Sequence, residues 1–255
     1  MQVDLIGVDV ATRAARTGLA VGRWGPRGLT VDSVAPTATA DELCAALARC
    51  SGPTLVCLDA PLGWPLALAP ALTEHRAGEP IAVPRDRLFW RETDRVVRQE
   101  TGKRPLSVAA DLIAHTAWQA LSLLAALRAT RPLPVLTDPA ELSANPAAGG
   151  AIEVYPGAAL VALGVPARGY KAARARDLRA SMLEPLAAAG LRLSSEAAAA
   201  AVGSADALDA ALCLLVGACF LEGGCVHWRD HGVDASVVRR EGWMWAPVAA
   251  ASTSR

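Results

Sequence analysis

Five acidic residues stand where acids are costly. Asp9 lies in the apolar run 4–10 (DLIGVDV), Asp59 near the end of TLVCLDA, Glu153 inside AIEVYP, and Asp206 and Asp209 in SADALDAALCLLVGA. A carboxylate among apolar neighbours is unfavourable unless it is paired, hydrogen-bonded or bound to a metal. Pro61 and Gly63 turn the chain just after Asp59, leaving it at a strand's carboxyl edge. Asp206 and Asp209 are three residues apart and share one helical face. Brought together and buried, such groups repel strongly. A hard divalent cation removes the repulsion, since Mg²⁺ and Mn²⁺ take carboxylate oxygens. The chemistry suggested is phosphodiester hydrolysis, in which two ions about 3.5–4 Å apart activate water and steady the leaving oxygen. Asp9, Asp59, Asp206 and Asp209 are then the metal ligands, with Glu153 as a further ligand or supporting acid. Each has a plainer use as well: Asp9 as a turn cap, Asp59 and Asp206 as helix N-caps.

The cations gather elsewhere. Between Arg85 and Arg104 there are seven Arg or Lys against four acids, with Phe89 and Trp90 interleaved, and between Arg168 and Arg179 five against one. Arg91, Arg95 and Lys103 are expected to hold backbone phosphates and Trp90 to stack on a base. A solvated helix face is the alternative, and it is preferred for 168–179. The histidines (75, 115, 227 and 231) show no pattern with a Ser or Cys nucleophile, which argues against a triad enzyme.

These groups need a scaffold. Three short runs, DLIGVDV, GLAVGRW and LTVDSVA, separated by turns (ATRAART and Pro26-Arg27-Gly28), predict an antiparallel meander. A helix capped by Thr39 or Asp41 follows, and TLVCLDA reads as a central strand buried on both faces. From 61 to 150 the pattern is mostly helical, and AIEVYP returns to a strand. Residues 156–164, 171–189 and 205–222 read as helices, and EGWMWAP as a closing strand or hairpin. The expectation is an α/β fold with a mixed five-stranded sheet flanked by helices. Residues 1–60 and 151–248 would form its core, 61–150 a mostly helical insertion, and 249–255 a flexible tail. Sites in such sheets lie at the carboxyl ends of the parallel strands.

Over half of the 255 residues are apolar, enough for a substantial core, and seven of the eleven aromatics are Trp. Zero formal net charge gives no whole-molecule attraction for a polyanion, so local patches must supply it. The six cysteines form no CxxC pair and mostly sit in apolar surroundings, as small hydrophobes. The first residues lack a basic n-region and no apolar run spans a membrane, so a soluble cytoplasmic protein is expected. Trp243 and Trp245 are expected to be exposed and to serve a possible homodimer interface.

GVDVA, LDAPLGWP, RETDR followed by TGKRPLSV, IEVYPGAAL, DALDAALCLLVGA and EGWMWAP together resemble the predicted RNase H-like nucleases, domain of unknown function 429, over nearly the whole chain. The resemblance implies an RNase H-like sheet with helical insertions. It implies an acidic site at Asp9, Asp59, Asp206 and Asp209, with Glu153 in an E-x-x-P strand and Arg91, Asp94 and Arg95 in an R-x-T-D-R segment. The D-x-x-D helix is also similar to that of Holliday-junction resolvases. The function expected is thus a Mg²⁺- or Mn²⁺-dependent nuclease acting on DNA or RNA. Two rivals remain: a non-catalytic binding or scaffold protein, and an actin-like ATPase or phosphotransferase, for which ATRAARTG supplies only one phosphate-loop glycine.

Overall fold

A computed structural model describes residues 1–13, 16–109 and 111–249. Ala14 and Ala15 of the first turn, and the expected tail from 250 onward, lie outside the described residues. The strands are β1 (Val3–Asp9), β2 (Gly18–Gly25), β3 (Gly28–Ala35), β4 (Thr54–Leu58), β5 (Gly150–Val154) and β6 (Met244–Trp245). They form one six-stranded sheet in the order β3-β2-β1-β4-β5-β6. β1–β2 and β2–β3 pair antiparallel, while β1–β4, β4–β5 and β5–β6 pair parallel. This is a mixed sheet of the RNase H-like kind, with one strand more than the five expected. The sixth, β6, lies within EGWMWAP, the expected closing strand, and its two residues pair with Glu153 and Val154.

Helix α1 (Ala40–Arg49) joins β3 to β4, and its cap is Thr39: the Thr39 hydroxyl accepts from Glu42 N–H at 3.2 Å while the Glu42 carboxylate accepts from Thr39 N–H at 2.7 Å. Between β4 and β5 the described residues are helix and loop: α2 (Leu68–Leu72), α3 (Arg85–Phe89), α4 (Glu92–Thr101), α5 (Asp111–Leu127) and α6 (Pro139–Ala144). After β5 come α7 (Pro156–Ala162), α8 (Arg176–Ala188), α9 (Ser195–Gly203), α10 (Ala205–Leu221) and α11 (Ala235–Glu241). None of these is long and apolar enough to cross a membrane.

Strand alternation sorts the sheet's side chains between two cores. Leu5, Cys57 and Ile152 pack under α10, whereas Ile6, Val8, Val56 and Leu58 pack against α1 and α5. Helix α10 is buried nearly all round, and it reaches the sheet because glycines leave room for its backbone. A Cβ on Gly7 would lie 2.3 Å from the Ala210 carbonyl oxygen, and one on Gly18 2.3 Å from that of Asp206. Gly7→Ala is therefore expected to lift α10 and to cost about 1–3 kcal/mol, the range for overpacking a close-packed core. Urea unfolding checks it: the midpoint should fall at unchanged slope, and an unshifted midpoint would show that close approach is not what seats the helix.

Candidate metal centre

Sheet register places the acids. Val8 and Leu58 are partners in the parallel β1–β4 ladder, so Asp9 and Asp59 follow side by side, and Asp59 N–H donates to the Val8 carbonyl at 2.9 Å. Both continue the Gly7 and Cys57 side of the sheet, the face under α10. On that helix Ser204 is the N-cap, accepting from Ala207 N–H at 3.4 Å, so neither aspartate is used as a cap. Asp209 then falls one turn in, over the carboxyl ends of β1 and β4. One oxygen from each of Asp9, Asp59 and Asp209 lies within 4.8 Å of the others. Asp209 is wholly buried and the other two half-buried.

The cluster is electrostatically strained. Burial, then the charges of Asp209 and Asp59, push Asp9 up to about 9. Burial pushes Asp59 up to about 7, with Lys171 opposing and Asp209 and Glu153 adding to the rise. Burial raises Asp209 as well, against the opposing effects of Lys171 and Tyr170. The Tyr170 hydroxyl donates to Asp209 Oδ1 at 2.8 Å. Asp209 Oδ2 is paired with the Lys171 ammonium at 2.6 Å. That ion pair is made by a lysine whose side chain is 62% exposed. Burial lowers the Lys171 pKa, yet Asp209, Asp59 and Asp9 outweigh it and leave it raised. An all-oxygen donor set of three converging carboxylates fits a hard divalent cation.

Lys171 and Tyr170 are the functional residues that sequence reasoning missed. The helix expected from 171 starts only at Arg176, so Lys171 lies in the loop between α7 and α8, within a basic stretch read as a solvated helix face. What fixes the loop is Arg179, 2% exposed, which donates to the carbonyls of Tyr170 at 2.6 Å, Ala172 at 3.0 Å and Val202 at 2.8 Å. A Tyr-Lys pair in a stretch with five cations and one acid was the available signal.

The other expected site residues are placed as follows. Asp206 stays outside the trio, facing Arg16 at 3.7 Å, although its charge still raises Asp9. Glu153 is the register partner of Leu58, not of Asp59, and it lines the same cavity as Asp9 and Asp59 without joining the trio. There it receives two bonds from Arg91, at 2.7 and 2.6 Å, and one from Leu62 N–H at 2.9 Å. Phosphate binding by Arg91 is corrected by this geometry. Its side chain is 1% exposed, and its guanidinium donors go to Glu153, to both oxygens of Asp94 and to the Glu241 carbonyl. Arg95 bonds the Asp86 and Trp90 carbonyls and pairs with Glu92. Arg95 and Trp90 border a separate cleft, while Lys103 does line the acidic one. Trp243 and Trp245 are 2% and 1% exposed, one donating to the Val226 carbonyl at 3.0 Å and the other packed on Phe220 at 4.7 Å, so they offer no exposed interface.

The acidic cleft is a cavity of about 550 Å³. Asp9 and Asp59 line it together with Lys103, Arg168 and Lys171. Burial, then Arg168 and Lys171, lower the Lys103 pKa, as expected where cations crowd. Carboxylates and ammonium groups thus share one opening.

A family model described as "Protein of unknown function (DUF429)" matches residues 7–243, so the chain belongs to that family. No curated protein and no solved structure matches it.

Proposed function

We propose that this DUF429 member is a divalent-metal-dependent nuclease, with Asp9, Asp59 and Asp209 holding Mg²⁺ or Mn²⁺ and nucleic acid as substrate. The observation that carries the reading is the three-carboxylate cluster at the ends of β1, β4 and the first turns of α10, with one oxygen from each acid within 4.8 Å of the others. When bound, such an ion polarises a phosphoryl oxygen and acidifies water. The chain's own residues supply the rest. Tyr170 fixes Asp209 through Oδ1 and leaves Oδ2 toward the cluster. Lys103 and Arg168 hold the phosphate oxygens as charge donors, and Lys171 offsets the acids until the cation takes over that role. Asp206 adds negative charge from outside the trio. Six free thiols suit a reducing compartment, so the reading includes a cytoplasmic setting.

A labelled panel of single-stranded, duplex and branched DNA and RNA tests it. Wild type with Mn²⁺ should cleave at least one class, and Asp209→Asn should slow that cleavage about a thousandfold, the effect of several kcal/mol lost from metal-stabilised charge. Cleavage of no class, or equal cleavage by the variant, overturns it. A metal-free binding protein is the second reading, favoured by the Lys171 ammonium lying 2.6 Å from Asp209 where a cation would sit.

A further inference from the structure

Beside the acidic cleft lies a second one of about 510 Å³, separated by a wall that includes Asp94 and Pro105. Four arginines border it: Arg85 from α3, Arg95 and Arg98 from α4, and Arg104 from the loop that follows. The Arg104 guanidinium lies 4.6 Å from the Trp90 ring centroid and that of Arg85 5.9 Å. The carboxylates in the lining are Asp86 and Asp94. Asp94 is already neutralised by Arg91 at 3.0 Å, and Asp86 pairs loosely with Arg85 at 3.5 Å in full exposure. Arg98 and Arg104 are exposed and have no carboxylate partner among the described residues. The Trp90 indole N–H is buried without an acceptor.

An excess of unpaired guanidinium groups, one of them 4.6 Å from the centroid of an indole ring, is a preorganised receptor for a phosphate. Arginine forks match phosphate oxygens bidentately. Nothing in this cleft could hold a metal or act as a nucleophile, so its part is binding. Its position one wall away from the carboxylates suits a second phosphate of the same chain better than a separate small anion.

We propose that the Trp90 cleft binds a non-reacting backbone phosphate of the nucleic-acid strand whose neighbouring diester enters the acidic cleft. This deepens the nuclease reading and rests on it for the identity of the reacting cleft. Arg98 and Arg104 determine strand affinity, and Trp90 holds Arg104 in place.

The test uses the full chain with end-labelled single-stranded DNA and RNA oligonucleotides, in chelator so that binding is read without cleavage. Arg98→Ala/Arg104→Ala should weaken binding about tenfold or more and flatten the dependence of log affinity on log salt by about one to two units, the loss of as many phosphate contacts. Its Mn²⁺ affinity and melting temperature should match wild type, because both side chains are exposed and unpaired. Arg98→Lys/Arg104→Lys should keep most of the salt slope and recover part of the affinity. Unchanged affinity and salt slope in the alanine variant overturn the proposal, as does an equal loss of Mn²⁺ binding. Strand binding lost in that variant, with no cleavage by wild type under any metal, upholds this cleft and removes the nuclease reading instead.

Discussion

Asp9→Asn is expected to stabilise the metal-free protein while removing its affinity for divalent metal. Asp9 ordinarily ionises near 3.8, but in the fold burial and the neighbouring aspartates push it up to about 9. The native state therefore holds a proton that the unfolded chain has released. Its contribution to stability is fully present below the ordinary carboxylate value, declines as pH rises through the interval, and levels off above 9. Asn needs no proton and carries no charge, so the variant's advantage should grow from about pH 4 to about pH 9. A gain of about 1–2 kcal/mol at pH 8 is the scale found when a strained functional group is removed, or about 2–4 °C per kcal/mol for a chain of this size. Thermal unfolding in chelator at pH 5 and pH 8 checks it. A variant less stable than wild type at pH 8 would mean that Asp9 is held by partners rather than strained. Adding Mn²⁺ should raise the melting temperature of wild type and leave the variant unmoved.

Arg91→Met should have the larger effect on folding. It leaves Glu153 and Asp94 buried without their counter-charge, a loss of about 3–5 kcal/mol for one partner of a buried ion pair. The damage extends to the metal centre through the chain after β4. Glu153 accepts from Leu62 N–H, and Glu241 accepts from Leu66 N–H at 2.8 Å and Glu92 N–H at 2.7 Å, so this network fastens the turn that begins at Asp59. Urea unfolding of Arg91→Met, Glu153→Gln and the double variant measures the coupling. The double variant should be more stable than the sum of the single losses predicts. Additive losses would show that the pair contributes independently of each partner.

The sequence made the trio legible for a physical reason. Asp9 and Asp59 each close a short apolar run, and Asp209 opens a helix that is apolar on every side, so all three break an otherwise simple pattern. Adjacent parallel strands then bring two strand-end acids together. Glu153 broke the same kind of pattern, but its membership depended on whether Leu58 or Asp59 was its partner, a one-residue register that only the assembled sheet decides. Arg91 shares the charged stretch 85–104 with residues that are exposed, and a polar helix does not announce that one of its arginines is buried. Lys171 reaches the site through a loop whose position comes from Arg179, a long-range contact without local signature. The core strands, α1 and α10 followed from periodicity, whereas the caps, Thr39 rather than Asp41 and Ser204 rather than Asp206, were settled by the structure. EGWMWAP was legible as a closing strand, but the burial of Trp243 and Trp245 followed from tertiary contacts alone.

The measurement that tests the central claim most directly is a calorimetric Mn²⁺ titration of the full chain at pH 6, 7, 8 and 9, alongside Asp209→Asn. With Asp9 near 9 and Asp59 near 7, binding must expel protons, so affinity should rise with pH across this range by up to about tenfold per pH unit for each proton released. The variant should bind at no pH. No heat of binding in wild type at any pH, or equal binding by Asp209→Asn, would contradict a metal centre built from Asp9, Asp59 and Asp209.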